Sequence, residues 1–182
     1  MGNALAWIGQ IFDWFGRFIP RWVIYDTTEG AVKFVRGYKT TALGPGIHWY
    51  WPVTTRISEY PTAFQADRLQ TQTLVTTDDK VIIVGAMISY SVTDILPLVA
   101  GTHYAQTTVK NLAMTAVHDV CCRMSWEELK GEQRKGTLDT KLRNMAQRAL
   151  VKYGVKVEQL TLIDLAPTRV LKLMQSTSNE EG

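Results

Sequence analysis

The chain has 182 residues, enough for one good core or two small ones, with 20% charged residues and a net charge of +3. That charge is too small, and Lys and Arg are too scattered, for a nucleic-acid surface, so no nucleic-acid partner is expected. The two cysteines, Cys121 and Cys122, are neighbours without a distant partner, which excludes a disulfide framework.

The opening stretch reads NALAWIGQIFDWFGRFIPRW. At roughly 100° per position, Leu5, Trp7, Ile8, Ile11, Phe12, Trp14, Phe15, Phe18 and Ile19 fall on one arc. Asn3, Gln10, Asp13 and Arg17 fall opposite, so the spacing predicts an amphipathic helix over residues 1–20 with an aromatic face. Pro20 limits it. The run is shorter than the roughly twenty apolar residues of a bilayer span, and its charges would be costly in hydrocarbon. Trp is at home at a membrane interface, with an apolar ring and one N–H to keep wet. The face therefore lies along a membrane, docks on protein, or less favourably spans a bilayer. No basic region precedes the apolar run, so it does not read as a secretory signal. Gly2 invites myristoylation, but Ala6 stands where Ser or Thr is favoured.

After Pro20 the period changes. Trp22–Tyr25 and Ala31–Val35 read as strands joined by the turn Asp26–Gly30. A tight turn at Leu43-Gly44-Pro45-Gly46 leads into the aromatic strand Ile47–Trp51. His48 has no acidic partner beside it there and reads as structural or exposed. Arg56–Tyr60 is a further strand. Gln72–Thr76 and Val81–Val92 read as a hairpin across the polar turn Thr77–Lys80. Val81–Val92 is apolar on both faces in its first half, which predicts a central strand, with Gly85 marking a bulge or close approach.

From His103 to Met124, Val109, Leu112, Ala113, Ala116, Val117 and Val120 recur at helical spacing. Ser125-Trp126-Glu127-Glu128 predicts a capping box for a short helix, because hydroxyl and carboxylate can each satisfy the other's free N–H. Thr137 is expected to cap a helix to about Tyr153, with Leu138, Leu142, Met145, Ala149 and Leu150 buried and Gly154 ending it. Val155–Leu165 is a late strand. Pro167 is expected to open a last short helix through Met174, and residues 176–182 a flexible polar tail. The class is α+β: an antiparallel-rich mixed sheet followed by helices and one late strand.

Chemistry is sparse. His118 with Cys121 and Cys122 would share one side of a helix, but three ligands lack a fourth for zinc. The same residues are the one nucleophile–base pair that spacing suggests, inside a helix with poor access. No glycine-rich phosphate loop is present, and Asp78-Asp79 reads as a solvated turn. No catalytic residue, cofactor or metal is assigned.

Five segments in order carry a resemblance. They are TEGAVKF followed by LGPGIHWYWP, then TLVTTDDKVIIVGAMISYSVTD, MSWEELKGEQRKGTLDTKL and YGVKVEQLTLIDLAPTRVLKLM. Together, over about residues 22 to 175, they resemble the stomatin–prohibitin–flotillin (SPFH, Band 7) domain. The resemblance implies a membrane-associated scaffold on the cytoplasmic side, without catalytic residues, that self-assembles and organises membrane proteins or lipids. Its expected partners are membrane lipids, further copies of the chain, and a membrane protein or membrane protease. The alternative is a soluble binding module or protease regulator whose aromatic helix docks on a partner protein. The helix over 1–20 falls where the family places its anchor, so its aromatic face is the expected membrane site, with Arg17 and Arg21 reaching lipid headgroups. Residues 21–175 form the expected SPFH-like domain, with a division into two subdomains admissible near Val92. The family usually continues into a long coiled coil, whereas this sequence stops soon after Met174, so lateral or smaller assemblies stand beside a closed cage.

Overall fold

A computed structural model describes residues 19–168. The helix expected from Leu5, Trp7, Ile8, Ile11, Phe12, Trp14, Phe15, Arg17 and Phe18 lies outside the described residues. So do residues 169–174 of the expected last helix, and the tail.

The first half is β1 (Arg21–Tyr25), β2 (Glu29–Val35), β3 (Lys39–Leu43), β4 (Gly46–Tyr50) and β5 (Thr55–Pro61). The expected pairing of β1 with β2 is corrected: β1 pairs antiparallel with β4, and β2 lies between β3 and β5. The reason lies in β2. Ala31 and Val32 are successive, so they point to opposite faces, and both are fully buried. Ala31 packs with Tyr25 and Leu43, while Val32 joins the main core. A strand needing cover on both faces takes the central place. The β1–β4 ribbon then covers one face instead of extending the sheet.

The other sheet holds β6 (Gln65–Arg68), β7 (Gln72–Val75), β8 (Val81–Val92) and β9 (Val155–Pro167). β8 is central, as expected: β6 and β7 pair with successive parts of it and β9 pairs along its length. The register shifts between Gly85 and Ala86. A Cβ on Gly85 would come within 2.7 Å of Asp164 Oδ2, so the expected bulge and the close approach coincide. Four helices follow β8: α1 (Ile95–Gly101), α2 (Ala105–Cys121), α3 (Trp126–Lys135) and α4 (Thr137–Leu150). Even-numbered residues of β8 from Ile82 to Val92 join the helices' Val109, Val117, Leu129 and Leu142 in one core. α2 is tied to β6 by Asp67, which pairs with Lys110 at 2.9 Å and lies 3.2 Å from the hydroxyl of buried Tyr90. Burial would raise the Asp67 pKa, but Lys110, Gln106 and Tyr90 outweigh it and hold the carboxyl below its ordinary value.

Several helix ends follow local chemistry. The Ser125–Glu128 capping box forms with both reciprocal bonds. Thr137 does not cap α4: left-handed Gly136 takes that position, and the Thr137 hydroxyl turns back to Glu132. The expected last helix is corrected at its start, because Pro167 is the final residue of β9, opposite Ile82. Proline is tolerated at a strand end, where no further ladder bond is required of it.

The β7–β8 turn is fastened to α3 through Asp78. Its Oδ1 accepts from the Thr76 hydroxyl at 2.6 Å and the Trp126 N–H at 3.0 Å, and Lys80 pairs with Oδ2 at 3.0 Å. The Thr76 bond first, then the Trp126 N–H, hold the Asp78 carboxyl well below the usual carboxylate range. A depressed folded pKa contributes stability above the unfolded value of about 4, and that stability is lost as pH falls toward the folded value. Asp78→Asn should therefore lower the melting temperature at neutral pH and flatten its decline in acid. Parallel melting curves of parent and variant below about pH 4 would contradict this.

Candidate membrane interface

The β1–β4 ribbon has two unlike faces. Trp22 lies opposite Trp49 and Ile24 opposite Ile47, and cross-strand partners share a face. The indole rings stack with centroids 6.3 Å apart and planes 22° from parallel. These four side chains are 64%, 63%, 63% and 59% exposed in the order Trp22, Ile24, Trp49, Ile47. The other face carries Val23 and Tyr25, which pack with Ala31, Leu43 and Ile57 on the β3–β2–β5 sheet. The Tyr25 hydroxyl donates to Glu59 at 3.0 Å; burial, then that carboxylate, push its pKa up, so the phenol stays neutral. His48 is half-buried, with Nε2 2.8 Å from the Gly44 carbonyl and its ring beside Tyr25. Lys33 donates to the Trp49 carbonyl at 3.0 Å. Among the described residues, the ribbon is thus held by one face and bare on the other.

Further exposed residues lie toward the chain's entry. Arg21 opens β1 opposite Tyr50, and Ile19, Trp51 and Val53 are more than half exposed near that end. A contiguous apolar patch rimmed by polar residues marks an interaction surface, where isolated exposed apolar side chains would not. Of the residues assigned to the membrane from sequence, Ile19 and Arg21 are described, and both are exposed where β1 begins. The others lie outside the described residues. Sequence reasoning did not assign Trp22, Ile24, Ile47 or Trp49 to this surface. The available signal was that RWVIY carries apolar residues in both alternating phases and that Ile47 and Trp49 fill one phase of GIHWY, while the other phase alone reaches the small core. No helix among the described residues is long and apolar enough to cross a membrane.

The other candidate constellation does not assemble. Cys121 is fully buried in the core, whereas His118 is exposed, with Nδ1 3.4 Å from its neighbour Asp119. Burial, then neighbouring Cys122, push the Cys121 thiol up to about 12, so it holds its proton at neutral pH and is a poor nucleophile. Mass spectrometry of maleimide-treated folded chain should find Cys121 unmodified, with both cysteines modified after denaturation. Fast modification of Cys121 before denaturation would contradict this environment.

Residues 23–181 match the family model described as SPFH domain / Band 7 family. The chain is also similar to an uncharacterized protein of Methanocaldococcus jannaschii, 23% identical over 181 residues, covering 93% of this chain and 85% of the relative.

Proposed function

The chain belongs to the SPFH domain / Band 7 family, and from that premise we propose that it is a non-enzymatic scaffold that lies on the cytoplasmic side of a membrane, self-assembles, and organises membrane proteins or lipids. The observation that carries this reading is the bare Trp22–Ile24–Ile47–Trp49 face. It is continuous in sequence with the aromatic first twenty residues, so one surface and one amphipathic segment meet the bilayer together. Indole suits the depth of lipid headgroups, because the ring avoids water while its N–H keeps a polar partner.

The test uses the full chain. It should co-float with lipid vesicles and give a particle several chains large by light scattering, in detergent and on lipid alike. A chain that stays with the soluble fraction removes membrane contact from the reading. A monomer in both environments removes self-assembly.

A further inference from the structure

A second feature is polar. Helix α1 covers only part of the β2–β5 sheet face. Ile95 lies over Gly30, where an added Cβ would come within 3.1 Å of it, and Val32 is buried alongside. The helix ends at Gly101, while the sheet face runs on. Past that end, Phe34, Arg56 and Ser58 border an open cleft of about 750 Å³, closed by the β2–β3 turn, the loop after β4, and His103.

Strand alternation explains its charge. In β5, Arg56 and Ser58 face the cleft, whereas Ile57 and Glu59 face the ribbon, where Glu59 accepts from Tyr25. Arg36 follows Phe34 by two residues and reaches the cleft from the turn. No carboxylate lines the cleft, and neither Arg36 nor Arg56 forms an ion pair among the described residues. Arg36 also occupies an unusual backbone position. Its φ is 52°, followed by Gly37 at 79°, a left-handed pair where Asn or Gly is the easier choice. Its N–H bonds to the Thr54 carbonyl at 2.8 Å, which continues the β2–β5 ladder one residue into the turn. An arginine accepted against local preference, at a cationic cleft, is an outlier that points to use.

We propose that this cleft binds a phosphate monoester, carried by a lipid headgroup or by a soluble phosphate ester. Two guanidinium groups match the near-double charge of such a group at neutral pH and can each grip it with paired N–H donors. Thr55 and Ser58 add hydroxyls. Thr102 does not serve as a donor, because its proton is committed to the Leu98 carbonyl at 2.6 Å. Val53, on the loop after β4, borders the cleft and is more than half exposed, so the cleft opens to solvent there.

The experiment titrates the full chain with inorganic phosphate, read by phosphorus NMR line broadening against chloride at equal ionic strength. Broadening should saturate. Arg56→Gln should weaken it about tenfold, the loss expected for one charge-assisted grip, and Arg36→Gln/Arg56→Gln should abolish it. Ser58→Asp, which puts a carboxylate among the donors, should also abolish it while the melting curve reports the fold. A second arm compares phosphatidylcholine vesicles carrying phosphatidic acid with others carrying phosphatidylserine at matched charge. A preference for phosphatidic acid, lost in the double variant, identifies the lipid source. Saturable phosphate binding without that preference identifies a soluble ester. Linear broadening in the parent, or equal saturation in folded double variant and parent, overturns the proposal. A chain that binds phosphate but no vesicle sinks the membrane reading alone.

Discussion

Changing Trp22, Ile24, Ile47 and Trp49 together to serine should strip the chain of most of its vesicle affinity. These side chains are each about three-fifths exposed and point the same way. A large apolar side chain moved wholly out of water gains about 1.5–3 kcal/mol. Partial immersion among headgroups gives roughly 1 kcal/mol each, hence roughly 4 kcal/mol together, or about a thousandfold in partitioning. Because Val23 and Tyr25 hold the ribbon from the other side, the quadruple variant should keep its fold, with an unchanged circular dichroism spectrum. Comparison with a variant changed in the first twenty residues divides the work between segment and ribbon. If the quadruple variant floats as the parent does, the ribbon takes no part in membrane contact. If it also stops forming the parent's assemblies in detergent, the face is an interface between chains instead.

The largest loss of stability from one small substitution is expected at Gly154. It follows the 3₁₀ turn Val151–Tyr153 and has φ 70° and ψ 21°. Its carbonyl accepts from the Thr93 and Asp94 N–H groups at 2.9 and 3.1 Å and from the Thr93 hydroxyl at 2.8 Å. That oxygen joins the end of β8 to the start of β9, where β9 must enter in register opposite Val92. An added Cβ would run into the Asp94 carbonyl oxygen, with Asp94 Cβ at 2.8 Å. Backbone on backbone cannot yield by turning a side chain. Gly154→Ala therefore combines left-handed strain with the opening of a three-bond junction, and should cost about 3 kcal/mol or more. For a chain of this size that is roughly a 10 °C fall in melting temperature. Gly131 is the internal control. It sits inside α3 with nothing within 4 Å of an added Cβ, so Gly131→Ala should be neutral or stabilising by up to about 1 kcal/mol. Melts of the two variants within about 2 °C of each other would mean the junction relaxes at no cost.

Much of the domain was legible where a few neighbouring residues decide the outcome. The Ser125–Glu128 box, the β7–β8 hairpin, the bulge at Gly85 and the left-handed end at Gly154 depend on spacing of one to five residues, and each formed. The buried stripes of α2 and α4 were read in part: Leu112, Met145 and Ala149, expected to be buried, are half-buried, and Ala146 is the buried position passed over. Other elements left little trace. β3 and β6 read KTTAL and QADR, polar and mostly exposed, and become strands because β2 and β8 offer them ladder bonds. α1 contains Pro97, but in its first turn, where a missing N–H costs nothing, and Asp94 caps it by accepting from the Leu96 N–H at 3.0 Å.

Alone, then, the sequence determined the class, the order of most elements, the Ser125–Glu128 cap, and the apolar character of the opening segment. Tertiary structure decided which strands are neighbours and which apolar faces stay bare. A strand of both-phase apolar sequence, such as RWVIY, must hide one face, but the choice depends on what another part of the chain brings to it. Here Ala31, Leu43 and Ile57 meet Val23 and Tyr25, so the indoles are left outside. The cleft has the same origin. Arg36, Arg56 and His103 are far apart in the chain, and they converge because α1 stops after two turns above a sheet that does not.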